Sequence, residues 1–107
     1  MTDHVFDITG WAKLDRFSQM GNIGSEVGRA LAAKRNGKTE RVQPAFYRGL
    51  DLIDVTARLW ADRKDPGLKE LLYARELFVR QITEHDAFDS WLEDYFMQFA
   101  VAARHGR

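Results

Sequence analysis

The sequence predicts an all-α protein, an up-and-down antiparallel four-helix bundle, and three observations carry that prediction. Apolar residues recur at steps of three and four in four separate stretches, the period of a helix face. Only short polar breaks separate those stretches, and short loops make antiparallel neighbours of consecutive helices. The composition, 45% hydrophobic and 30% charged with two prolines, is that of a globular helical chain and not of a disordered one. A chain of 107 residues is expected to form a single domain over 1–107 around one core.

Thr2 to Gly10 reads as a loose or strand-like lead. The first helix is predicted from about Trp11 to Arg35, on the apolar series Trp11, Leu14, Phe17, Met20, Ile23, Val27 and Leu31. Lys34 and Arg35 suit a helix C-terminus, and Asn36-Gly37 supplies the left-handed stop. Thr39 or Gln43 opens the second helix, with Pro44 expected in its first turn. Phe46, Leu50, Ile53, Ala57 and Trp60 then follow steps of four and three, a bundle seam. Asp65 followed by Pro66 predicts an N-cap and first helical position for the third helix, Pro66 to about Glu84. Its expected buried residues are Leu68, Leu71, Leu72, Leu77, Phe78 and Ile82. After "EHDAFDS", Phe88, Leu92, Tyr95, Phe96, Phe99 and Ala103 share one side of a fourth helix, about Ala87 to Arg104.

Sixteen basic residues balance sixteen acidic ones, so no overall field draws the chain to nucleic acid or to an anionic membrane. Such binding needs a local patch. The absence of cysteine excludes disulfides, thiol nucleophiles and Cys-based zinc sites, and fits a reducing compartment. With no signal-peptide pattern in "MTDHVFDITG" and no apolar run near the ~20 residues of a membrane span, the expectation is a cytoplasmic protein without a membrane partner.

The most unusual stretch is "SQMGNIGSEVGRAL", where Gly21, Gly24 and Gly28 lie on one side of a helix. Each glycine costs roughly 0.5–1 kcal/mol relative to alanine, so a close contact must offset them. A helix, a large ring such as Trp60 or Trp91, or a partner subunit lying flat on the stripe would do so. A phosphate-cradling loop is disfavoured, because "GNIGSEVG" lacks a P-loop lysine and follows no strand. Glu26 and Arg29 beside the stripe are expected to form an ion pair, interhelical or intermolecular.

Other motifs are less specific. Asp51 and Asp54 make a D-x-x-D pair which, with Glu26, is similar to half of the carboxylate cluster holding magnesium in all-α nucleotide pyrophosphohydrolases. The second acidic helix of that arrangement is missing, and Arg58 four residues after Asp54 predicts a surface ion pair instead, so no metal and no cofactor are expected. Arg80 and His85, with four residues between them, match the spacing of the ribonuclease signature of HEPN-type helical nucleases. In those enzymes arginine stabilises the phosphate and histidine does acid-base chemistry. A helix-terminal histidine beside the C-terminal dipole is the competing reading. Lys34, Arg35, Lys38, Arg41 and Arg48 gather around the first interhelical turn, a basic end able to take RNA or an acidic partner. In "YFMQFAVAARHGR", Tyr95, Phe96, Met97, Phe99 and Val101 cover more than one face, as expected of a central helix or an oligomer contact.

At "NIGSEVGR" the chain resembles the "NIAEGFGR"-type signature of small four-helix-bundle proteins encoded in 23S rRNA intervening sequences, relatives of retroelement accessory proteins. Asn22, Ile23, Gly28 and Arg29 coincide, and "ERVQPAFYRGLDLIDVTARL" is similar to that family's second helix. The resemblance covers about forty residues, without the family's longer N-terminal helix, and implies oligomeric bundles that associate with nucleic acid or a reverse transcriptase, with no enzymatic activity. The expected function is a non-enzymatic interaction module that self-associates or docks a partner protein, with Gly21, Gly24, Gly28, Tyr95, Phe96 and Phe99 at its interface. The alternative is an RNA-directed protein, either a binder using the basic end or a HEPN-like ribonuclease using Arg80 and His85.

Overall fold

The computed structural model describes residues 7–85 and 88–106. All regular structure among the described residues is helical, in five segments: α1 (Ile8–Lys13), α2 (Arg16–Arg35), α3 (Thr39–Asp62), α4 (Leu68–Thr83) and α5 (Ser90–Gly106). Four are long. The fifth, α1, arises because the first predicted helix is two: Leu14 takes an extended conformation, and the Asp15 side chain accepts from Ser18 N at 2.8 Å to start α2. The helix therefore breaks ahead of the glycines and runs unbroken through them. Of the predicted lead, Ile8 to Gly10 are helical, under an Asp7 cap to Gly10 N at 2.9 Å, and residues 1–6 lie outside the described residues.

α2 ends where Asn36-Gly37 predicts. Gly37 takes φ +72° and Lys38 N donates back to Ala33 O at 2.9 Å, closing the last turn. α3 opens at Thr39, which corrects the place of Pro44: it sits in the second turn, exposed, where it withholds from Glu40, itself an exposed residue, the helical donor to its carbonyl. α3 closes with the same device as α2, Asp65 N donating to Trp60 O at 2.9 Å, with Lys64 in the left-handed region at φ 55°. α4 begins at Leu68 and not at Pro66, because the Asp65 carboxylate accepts from Gly67 N at 2.7 Å and holds the turn before the helix. The start predicted for the last helix, Ala87, lies outside the described residues; α5 begins at Ser90, with Asp89 accepting from Trp91 N at 2.9 Å.

α2 packs against α3 and α5, and α4 against α3, α2 and α5. Met20, Ile23, Val27, Ile53, Trp60, Leu71, Phe78 and Leu92 are essentially sealed from solvent, so the seams read from spacing are the core. Three expected core members are corrected. Leu14, at the junction of α1 and α2, is 39% exposed. Leu72 is 46% exposed, on the outer side of α4, and Phe88, which precedes α5, is 64% exposed. α1 is fastened by Trp11, whose indole donates to Thr56 Oγ1 at 2.9 Å inside the core, while Thr56 donates to Leu52 O at 2.7 Å. Arg16 joins the start of α2 to the turn after α3: its guanidinium pairs with Asp65 and lies 4.2 Å from the centre of the Trp60 ring. No helix among the described residues is long and apolar enough to cross a membrane.

Candidate functional site

The glycines of α2 face α5. Gly24 does so at close quarters: a Cβ there would lie 3.1 Å from Phe96 Cβ, so the bare backbone lets α5 approach. The covering ring is Phe96, which corrects the expectation of Trp60 or Trp91; Trp60 is held in the core under Arg16, and Trp91 stacks on Tyr95 at 5.0 Å. Around Gly21 and Gly28 none of the neighbouring described residues comes within 4 Å of a Cβ position. The result is an open groove of about 260 Å³ between α2 and α5, floored by Gly21, Gly24, Val27 and Gly28 and walled by Glu93, Phe96, Met97 and Ala100. On its α2 side Ser25 folds back on Gly21 O at 3.1 Å.

The aromatic part of the predicted interface is corrected. Tyr95 and Phe96 are buried in the chain's own core, and Phe99 packs partly buried against Tyr95 at 5.4 Å. Burial and, secondarily, the negative charge of Glu70 push the Tyr95 hydroxyl well above the usual tyrosine value. The apolar surface that α5 leaves outside is Met97, 56% exposed, and Val101, 40% exposed.

A second concavity, about 430 Å³, lies between α2 and α3, lined by Arg29, Lys38, Arg41 and Arg48 around Ala32, Ala33, Pro44 and Ala45, with Glu40 as its acid. The predicted basic end is thus split. Lys34 leaves it, its ammonium donating to Gln81 O and, at 2.7 Å, to Glu84 O, where it serves the C-terminus of α4. Arg35 reaches Glu93 on α5 at 3.4 Å. Arg29, which charge clustering in sequence missed, joins the pocket because it is one turn from Ala32 and Ala33. Glu26 pairs within its helix with Arg29 at 3.0 Å and across to α3 with Arg48 at 3.2 Å, so the expected ion pair has two partners.

The remaining candidates are dispersed. Asp54 pairs with Arg75 of α4, at 2.6 Å, and not with Arg58; its hydrogen bond raises the Arg75 guanidinium further above its ordinary value. Among the described residues no three histidine, aspartate or glutamate side chains converge on a point that could hold a metal. Arg80 has Glu84 at 3.8 Å and borders a hollow of about 130 Å³ with Leu77, Gln81, Phe88 and Asp89; His85, exposed in the turn after α4, is not part of its lining. A tight glycine on the core seam was also missed. At Gly49 a Cβ would fall 2.9 Å from the Phe78 ring, and the signal was its place between Phe46 and Ile53 on the seam. Compared with protein-family models, curated proteins and solved structures, the chain matches none.

Proposed function

We propose that the chain is a non-enzymatic cytoplasmic interaction module, its long helices α2 to α5 arranged as an up-and-down four-helix bundle, that self-associates or docks a partner protein through the α2–α5 groove. One observation carries this reading. Gly24 has Phe96 to account for it, whereas Gly21 and Gly28 give up helix stability for a surface that none of the described residues covers. Met97 and Val101 add exposed apolar area at or beside the same groove. The resemblance to intervening-sequence bundles, which are oligomeric, supports the same reading. Light scattering on wild type and Gly28→Leu tests it. Space is open at Gly28, so the variant should keep its helical circular dichroism while losing the assembled species; an unchanged mass for the variant would remove the groove from the interface.

A second reading is favoured by the α2–α3 pocket, whose four cations stand on a neutral protein. In that reading the chain is RNA-directed, binding through Lys38, Arg41, Arg48 and Arg29, or cleaving through Arg80 and His85. Co-purifying RNA, seen in the 260/280 nm absorbance ratio before and after nuclease treatment, supports it. Loss of binding in Arg41→Glu, against loss of cleavage in Arg80→Ala and His85→Ala, separates binder from ribonuclease.

A further inference from the structure

We infer that the face carrying the α2–α5 groove is covered by the same face of a second copy of this chain, packed two-fold with its α5 antiparallel to the first, so that Glu93 of each copy meets Arg104 of the other and Met97 meets Ala100. This rests on the docking role proposed for the groove and adds its partner and register. Glu93, Met97, Ala100 and Arg104 follow steps of four, three and four, and within about 60° of arc they form one stripe along α5. That spacing reads the same in both directions. Reversing the helix about the midpoint between Met97 and Ala100 superposes the stripe on itself, with acid on base at both ends and large on small in the middle.

A two-fold interface requires such self-complementarity, because each patch must fit itself inverted. The structure makes this stripe available. Met97 is 56% exposed, Ala100 is part of the groove wall, and Arg104 is exposed with no side-chain partner among the described residues. Glu93 is held in place from behind by Arg35 at 3.4 Å while its side chain stays 39% exposed. Beside the stripe, α2 offers Gly21, Ser25, Gly28 and Ala32 at the same four, three, four spacing, all small. The same face of a second copy can therefore approach closely, α5 against α5 and the small residues of α2 beside them.

The test is light scattering over a concentration series on wild type, Glu93→Arg, Arg104→Glu and the double reversal, with circular dichroism to verify folding. Wild type is expected to dimerise. Each single reversal sets like charges together at both ends and should weaken the dimer about tenfold or more, and the double should recover most of that loss. The new repulsion from Arg35 is common to Glu93→Arg and the double, so recovery between those two reads the contact between copies. Chains carrying Met97→Cys mixed with chains carrying Ala100→Cys should form a disulfide faster than either alone, in a protein that has no cysteine of its own. A wild-type dimer with no recovery in the double and no preference in the mixed crosslink would overturn the register and leave self-association standing. A wild-type monomer throughout the series would overturn this inference and the self-association it rests on, leaving only docking of a different protein.

Discussion

Gly24 and Gly49 are fixed by rings of the same chain, Phe96 and Phe78, and Gly21 and Gly28 are not, which makes four alanine substitutions an internal control. Gly49→Ala and Gly24→Ala should each cost about 1–3 kcal/mol, since a methyl must displace a packed phenylalanine. Gly21→Ala and Gly28→Ala, read by thermal melting at a concentration low enough for single copies, should each add about 0.5–1 kcal/mol. Equal effects at all four would refute the distinction. Tyr95 gives a second reading of burial. Its hydroxyl is held protonated above the ordinary tyrosine range, so the folded form keeps a proton that the unfolded chain releases from pH ~10 upward. That contribution is intact below pH ~10 and is lost as pH rises beyond it. The melting temperature of wild type should consequently fall more steeply than that of Tyr95→Phe between pH ~9 and ~11. Single side chains were legible in sequence only where their partners are local. Asp54 had Arg58 one turn away, yet it pairs with Arg75, because a neighbour across a helix interface leaves no mark in one-dimensional spacing.

Helix ends show the same division. The stop at Asn36-Gly37 was readable because a left-handed glycine is a local requirement; the break at Leu14-Asp15 was hidden because the apolar series Trp11, Leu14, Phe17 continues across it. The available signal was the capping acid Asp15, three residues ahead of Ser18. Lys34 looked like part of a basic patch for the opposite reason: its role, at the last carbonyls of α4, is decided by how α2 and α4 pack. The end of α3 yields a prediction. Lys64 occupies, at φ 55°, the position that a glycine takes at the end of α2, and a side chain there costs roughly 1 kcal/mol. Lys64→Gly should then stabilise the protein by about that amount, raising the denaturation midpoint without changing the denaturant slope. A lower midpoint would show that Lys64 holds something its backbone strain does not reveal.

The seams of the core, read at steps of three and four, located four long helices though not the break between α1 and α2, whereas the groove was legible only as an excess of glycine that the sequence could not assign to a covered or an open face. The difference matters for the assembly. With sixteen charges of each sign the chain has no net self-repulsion, so association is decided by the local face and not by an overall field. If copies pair through that face, unfolding is coupled to dissociation and the melting temperature depends on concentration. Each tenfold increase in concentration adds about 1.4 kcal/mol to the stability of a dimer, which for a chain of this length is a rise of several degrees. Wild type should show that rise, and added salt should lower the midpoint at each concentration by screening the Glu93 and Arg104 pairs. Gly28→Leu, with the groove filled from its own side, should melt at one temperature whatever the concentration. A wild-type midpoint that stays constant over two decades of concentration would mean that each copy melts alone, and the open backbone of Gly21 and Gly28 would then belong to the surface of a different protein.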